Sequence, residues 1–548
     1  MCYSYETDYQ NHRIDVPERF NPVIQIVDAW AAEESDAPAL LSLGSEGEID
    51  HAQTIAELSR ESRRMAQALL SLGVKKGDRV LIMMPRVPAW YTAMLGVMRF
   101  GAVAIPTPNL STARDIAYRV KTAAPIAIIA DGVAASKIDT IRKDLSGVAH
   151  AIEWSDPRSA RSHWLNMQSL LASVENYHDV PVDPTSKGEP LLIFFTSGTV
   201  SYPKMVLHDQ SYALGHVGTA RYWHNVGAGD RHWTVSDTGW AKAAWGGLFG
   251  QWHERATVVQ ANLPTADAHT ILSIIRQHRI TSFCAPPTLY RSLVQLELRS
   301  YDLTSLRQCT SAGEPLNPEV IKIWKNSTGL TVRDGFGQSE TTAVIANTRN
   351  LPVRPGSMGK TMPGYQVDIV DNSGALLAAG EVGCIAIRTE PRPLGLCLEY
   401  LDSPERTTQA FRNGYYYTGD RGSRDSDGYF WFESRDDDVI NSSAYRIGPF
   451  EVESALIEHT AVVEAAVVGK DDAARTQIVC AFVVLASAFR ASPELIKELQ
   501  DHVKRETAPY KYPREIHFVG ELPKTISGKI RRSELRRWLR DGIPHAPE

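Results

Sequence analysis

An excess of basic charge is missing from this sequence. Its 548 residues carry 58 Lys and Arg against 64 Asp and Glu, a net charge of −6. That balance argues against a nucleic-acid surface, which needs grouped cations. No apolar run is long enough to cross a bilayer. The opening Met1-Cys2-Tyr3-Ser4-Tyr5-Glu6 lacks the basic and apolar stretches of a secretory signal, so none is expected. Cysteine is sparse. Cys2, Cys284, Cys309, Cys384, Cys397 and Cys480 form no C-x-x-C pair of the metal-binding kind. We expect free thiols in a reducing cytoplasm. Repeats, low-complexity segments and the G-x-x-x-x-G-K-S/T phosphate loop are also lacking.

What is present is 43% hydrophobic, enough for more than one core. Asp78 to Met84, Ala102 to Pro106 and Ile126 to Ala130 read as buried strands, with a helix from Pro88 to Gly101 between the first two. Such alternation predicts an α/β fold with helices on both faces of doubly wound parallel sheets. Ligands then lie beyond the carboxyl ends of the strands. After Gly359 the signals change to Asp371-Asn372-Ser373-Gly374, Asn413-Gly414 and Asp427-Gly428, which suit tight hairpins. A small antiparallel sheet is expected there. The charged Arg435-Asp436-Asp437-Asp438 precedes about a hundred residues of mixed α and β pattern. We expect a large N-terminal domain over 1–436 and a smaller α+β domain over 437–548.

Five segments carry chemistry. In the first, Leu191 to Phe195 runs into Thr196-Ser197-Gly198-Thr199-Val200-Ser201 and ends at Lys204. Small residues expose backbone N–H groups to phosphate oxygens, hydroxyls add donors and lysine adds charge. The second is Asp334-Gly335-Phe336-Gly337-Gln338-Ser339-Glu340. Its glycines leave room for a flat base, and its carboxylate suits a magnesium ion. The third, Thr418-Gly419-Asp420, offers a carboxylate to ribose hydroxyls. The fourth runs from Ser434 and Arg435 to Glu453, and the fifth is Pro523-Lys524-Thr525-Ile526-Ser527-Gly528-Lys529. Each alone also reads as an ordinary turn or a solvated charge.

In this order and spacing the five resemble the adenylate-forming superfamily of acyl-CoA synthetases, peptide-synthetase adenylation domains and beetle luciferases. Ser236-Asp237-Thr238-Gly239-Trp240 and Ala508-Pro509-Tyr510-Lys511-Tyr512-Pro513 look most like its medium-chain and aromatic acyl-CoA synthetases. The resemblance implies an acid–thiol ligase. It would join a carboxylic acid to AMP using ATP and Mg2+, then pass the acyl group to CoA. It further implies a C-terminal domain that rotates about a hinge at Asp437.

By the same resemblance, Gly313-Glu314-Pro315 and Asp334 to Gln338 face adenine, and Ser339 meets the α-phosphate. Glu340 holds magnesium, while Asp420 and Arg435 hold ribose. Lys529 bridges the substrate carboxylate and phosphate, and Arg446 meets phosphate in one conformation. Trp240, Gly239 and Ala241 belong to the acyl pocket, where the small residues up to Gly247 serve either volume or close helix packing. Ser443, Ala444, Tyr445 and Arg475 belong to the CoA path.

Val200 and Ser201 stand where the family has a hydroxyl residue and a glycine. Ala444 and Ser434 also replace glycines. Three further readings stay open, the first of them motivated by these departures. One is a ligase that only thioesterifies acyl-AMP from a separate adenylating enzyme. Another passes the acyl group to a carrier protein. The third binds adenylates without catalysis. Luciferase-type oxygenation shares the scaffold.

Overall fold

A computed structural model describes residues 4–544, apart from 160, 176, 178–183, 197–202, 264–266, 437, 443–444, 473–474 and 526–528. Residues 159 and 446 are described by backbone only. Two large sheets share the first 435 residues. One contains Glu399–Tyr400, Lys204–Asp209, Pro190–Thr196, Val103–Pro106, Arg79–Met83, Ala127–Asp131, His150–Trp154 and Leu165–Asn166, in that order. The three strands read from the sequence sit at its centre and run parallel. Their side chains are buried on both faces, which is why they read as unbroken apolar runs. The helix Pro88–Arg99 crosses Ile55–Ser71 closely. A Cβ on Gly96 would meet the Met65 side chain at 2.5 Å.

The second sheet has 14 strands among the described residues. Thr257–Ala261, Arg231–Thr234, Ser282–Ala285, Gln308–Ala312 and Val332–Gly337 are parallel. Beyond them the sheet turns antiparallel through Ala343–Ala346, Ser357–Thr361, Phe430–Arg435, Tyr415–Arg424, Gly383–Arg388 and Val367–Val370. The expected antiparallel sheet exists, but it is continuous with the parallel one. Ser357–Thr361 pairs with Ala343–Ala346 on one side and Phe430–Arg435 on the other. The hairpin at Asn413-Gly414 has φ of 55° and 76°, the doubly positive turn that dipeptide favours.

The third sheet uses only residues after Ile440. Ile440–Ser442, Tyr445–Ile447, Val462–Asp472 and Thr476–Leu485 are antiparallel, and Glu515–Phe518 joins the last in parallel. It has its own core around Val467, Ala481 and Leu499. This lobe docks on the strand Phe430–Arg435. Phe450 packs edge-on against Phe432 at 6.1 Å, and the Lys511 ammonium bonds Glu451 at 2.5 Å beside Glu433. Asp438, just past the expected hinge, accepts from Arg536 at 2.7 Å and so ties that segment to the helix Arg532–Asp541.

Candidate active site

The segments expected at adenine and the phosphates follow the strands Gln308–Ala312, Val332–Gly337 and Pro190–Thr196, each with a parallel neighbour, at whose carboxyl ends such sheets place ligands, while Asp420 and Arg435 lie on adjoining antiparallel strands. Val332–Gly337 carries Asp334, Gly335, Phe336 and Gly337 into a turn holding Gln338, Ser339 and Glu340. Gln338 Nε2 donates to Thr418 O at 2.8 Å and also to the Asp420 carboxylate. Tyr416 OH donates to Gln338 Oε1 at 3.0 Å. Arg435 is the cross-strand partner of Asp420, with its guanidinium 3.7 Å from the carboxylate. Burial pushes the Asp420 carboxyl up to about 6, against the opposing pull of Arg435, Lys529 and Gln338, while Glu340 adds to the rise. Lys529 is solvent-exposed, yet its ammonium lies within electrostatic reach of Asp420 and Glu314. The C-terminal lobe thus presents this lysine to Asp420 and Glu314.

Asp334 is buried, which pushes its carboxyl up to about 8 despite N–H donors from Gly335 and Leu316. The Leu316 bond joins Asp334 to the segment Gly313-Glu314-Pro315, so the two expected adenine segments meet. Burial also raises the Glu314 carboxyl, with Arg291, Lys529 and Lys242 opposing. The glycines of Gly335-Phe336-Gly337 also have a packing reason. A Cβ on Gly335 would meet Trp223 at 2.6 Å, and one on Gly337 would meet Trp245 at 2.5 Å. The missing side chains make room for two buried tryptophans.

Thr196 and Lys204 are cross-strand partners that frame the phosphate loop. Ser197, Gly198 and Thr199, together with Val200 and Ser201, lie outside the described residues. The Lys204 ammonium sits 4.8 Å from the centre of the Tyr400 ring. Tyr400 OH in turn donates to Glu340 Oε1 at 2.8 Å. Lys204 and Glu340 therefore share one tyrosine between them. Glu340 is buried, and its Oε2 makes no hydrogen bond among the described residues. A carboxylate oxygen of this kind fits a magnesium ion, which takes oxygen ligands.

Gly239 is buried where a Cβ would strike the backbone of Thr107 and Pro108, so close packing fixes this glycine. Trp240 precedes the helix Ala241–Gly247 as its half-buried cap, and Ala241 is buried. Of the two expectations for the small residues here, close packing holds for Gly246, whose Cβ would overlap Thr234. Tyr445 is exposed and stacks on Tyr510 at 4.0 Å and 11°. Arg475 is exposed, and its backbone N–H donates to Asp472 Oδ1 at 2.8 Å. Among the described residues no contact joins Tyr445 or Arg475 to the nucleotide cluster. Asp437, Ser443, Ala444 and the Arg446 side chain lie outside the described residues. Ser434 takes its family glycine's place as a buried strand residue paired with Arg421, without a glycine-type backbone.

Sequence reading missed Tyr400, Tyr416, His208 and Lys242. Tyr416 had a signal, since it sits in Tyr415-Tyr416-Tyr417 directly before Thr418-Gly419-Asp420. Lys242 follows Trp240 by two residues, and its ammonium donates to Ala312 O at 2.9 Å beside Glu314 and Asp334. Tyr400 and His208 reach the site only through long-range packing. No helix among the described residues is long and apolar enough to cross a membrane.

Comparison with known proteins agrees with this arrangement. Residues 27–400 match the AMP-binding enzyme family, and residues 451–529 match the AMP-binding enzyme C-terminal domain. The chain is 42% identical to the human mitochondrial acyl-coenzyme A synthetase ACSM3, over 97% of this chain and 92% of that protein. It is 44% identical to the mouse mitochondrial acyl-coenzyme A synthetase ACSM5, over 96% and 91%. Among solved structures it resembles the anthranilate CoA ligase AuaEII in complex with anthranoyl-AMP, with a TM-score of 0.88 and 29% identity over 96% of this chain and 98% of that one. The benzoate CoA ligase from Burkholderia xenovorans gives a TM-score of 0.82 at 28% identity, over 94% and 100%. With both family regions matched in order, the chain belongs to the AMP-binding enzyme family.

Proposed function

We propose that the chain is an AMP-forming acid–thiol ligase that makes an acyl-CoA from a medium-chain or aromatic carboxylic acid. In the first half-reaction a carboxylate oxygen attacks the α-phosphorus of ATP. The bond to the β-phosphate oxygen breaks, and pyrophosphate leaves. In the second, the CoA thiol loses its proton and its sulfur attacks the acyl carbonyl. The bond to the AMP oxygen breaks and AMP leaves. The observation that carries this reading is the chain of contacts from Lys204 through Tyr400 to Glu340, beside the linked Gln338, Asp420 and Arg435, with Lys529 facing them.

Asp420 and Arg435 orient the ribose, and the polar ends of Gln338 and Ser339 hold the nucleotide in register. Lys529 and Lys204 place positive charge where negative charge builds on the phosphoryl oxygens, and such fixed charges lower the barrier without reorganising solvent. A magnesium ion at Glu340 would neutralise phosphate charge when bound. Trp240 and Ala241 border the acyl group, and Tyr445 and Arg475 serve the CoA path once the lobe after Asp437 turns. The relatives, named as synthetases and CoA ligases, support CoA as acceptor over a carrier protein. They also support the complete reaction over one fed by a separate adenylating enzyme. A cytoplasmic location rests on the free thiols alone, and the curated relatives are named mitochondrial.

The test is acid-dependent ATP–pyrophosphate exchange with aliphatic and aromatic acids, followed by thioester formation on adding CoA. Exchange without thioester would transfer the reading to another acceptor. Absence of exchange with every acid would overturn it.

A further inference from the structure

We propose that His208 is a positioning residue for ATP. It fixes the Ser339–Glu340 turn to the strand that carries Lys204, and so sets the spacing between the two ends of the triphosphate. The inference rests on the ligase reading above.

The turn after Gly337 is held at three successive carbonyls. Gln338 O accepts from Thr341 N at 3.2 Å, Glu340 O from Cys397 N at 2.8 Å, and Ser339 O from His208 Nε2 at 2.8 Å. The first bond lies within the turn, and the second comes from a backbone amide. Only the middle one is a side chain reaching across from the other large sheet. His208 lies four residues beyond Lys204 on the strand Lys204–Asp209, and its cross-strand partner there is Leu192. One short strand therefore carries the lysine that frames the phosphate loop and the imidazole that grips the α-phosphate turn.

The ring has little freedom to move. It is fully buried, 3.8 Å from the Tyr212 ring and 5.9 Å edge-on from Phe194. Burial drives its pKa down to about 3, so it stays neutral. A carbonyl partner requires the proton on Nε2, and Nδ1 has no hydrogen-bond partner among the described residues. A second tie runs in the same sense, from Lys204 over Tyr400 to Glu340. The two together hold the turn at its Ser339 carbonyl and its Glu340 carboxylate.

The two half-reactions depend on this spacing unequally. Adenylation needs the α-phosphate and the departing pyrophosphate placed together. Thioester formation from acyl-AMP uses the α-phosphate side alone. A residue that only stabilised the fold would affect both alike.

The test compares H208F, which keeps a ring against Tyr212 but has no N–H, with H208Q, whose amide places a donor at similar reach. Pyrophosphate exchange is measured beside acyl-CoA formation from supplied acyl-AMP. In H208F, exchange falls about tenfold to a hundredfold, mostly in kcat, since small misplacements at a reacting centre have effects of that order. Thioester formation from acyl-AMP stays within about threefold, and H208Q recovers most of the exchange. Exchange unchanged in H208F, or an equal fall in both half-reactions, overturns the proposal. Should H208F fail to fold, H208L replaces it, and equal exchange in H208L and H208Q overturns the proposal as well. Wild-type exchange is the reference. Its absence would count against the ligase reading itself and would remove this role with it.

Discussion

At the scale of single residues, Lys529 shows why position matters more than burial. It is exposed, and its backbone N–H is held by Thr525 Oγ1 at 3.1 Å, yet its charge is felt by the buried Asp420 and Glu314. On the proposed ligase reading, replacing it with alanine removes a fixed cation from the developing charge. We expect K529A to lose about a hundredfold or more in pyrophosphate exchange while its thermal stability is unchanged. Gly337 makes the opposite case, a residue whose worth is steric. In G337A the new methyl meets Trp245 at 2.5 Å and also the backbone oxygen of Thr342. Neither neighbour is a flexible chain end, so urea denaturation should show a loss of about 2–3 kcal/mol. Motif order in the sequence was sufficient to pick out Asp420, Arg435, Gln338, Glu340 and Lys204, and the structure brings them together. It could not pick out Tyr400, because nothing in Leu398-Glu399-Tyr400 says that this ring will lie between Lys204 and Glu340. The tryptophans behind Gly335 and Gly337 were hidden for the same reason.

At the scale of elements, local pattern was legible and long-range pairing was not. Arg79–Met83, Pro88–Arg99 and Val103–Pro106 fall within two residues of their expected ends, since each is defined by its own run of apolar residues. The continuity of the parallel and antiparallel strands depends on Ser357–Thr361 having two partners far apart in sequence, and no local signal carries that. The pairing has a chemical consequence. Because Tyr415–Arg424 and Phe430–Arg435 align Asp420 with Arg435, the guanidinium offsets part of the burial that pushes this carboxyl up to about 6. Lys529 and Gln338 also face the carboxylate and favour its charged form, while Glu340 opposes it. In R435M the carboxyl therefore protonates at higher pH than in wild type. The acid limb of kcat/KM for ATP should move to higher pH. Loss of the ribose contact lowers the variant at every pH, and the protonation of Asp420 makes the gap several-fold wider at pH 6 than at pH 8. A uniform loss at every pH would mean that Arg435 acts by contact with the nucleotide and not through Asp420.

At the scale of the whole molecule, the buried histidines set the response to acid. His208, His216 and His232 are pushed by burial from about 6.5 down to about 3, and His224 well below its ordinary value. His12 is lowered to about 4, chiefly by burial. Below pH 6.5 the unfolded chain takes up protons at these five sites and the folded chain does not. Their stability is therefore fully present above pH 6.5 and is lost as pH falls toward the folded values. Carboxyls raised by burial act the other way, Glu314, Asp209 and Asp237 among them. Asp334 at about 8 and Asp420 at about 6 hold protons in the folded state that the unfolded state releases, so acid stabilises through them. Between pH 6 and 5 the lowered histidines, His517 among them, leave the unfolded chain with the greater uptake of protons. Stability should then fall as the pH drops through that window. Urea midpoints from pH 8 to 5 measure the slope. Substituting His216, whose ring nitrogens make no hydrogen bond among the described residues, by phenylalanine removes one of these sites. H216F should lower the slope by about one proton's worth, near 1.4 kcal/mol per pH unit, whatever it does to stability at pH 8. An unaltered slope would assign the acid response to groups other than these rings.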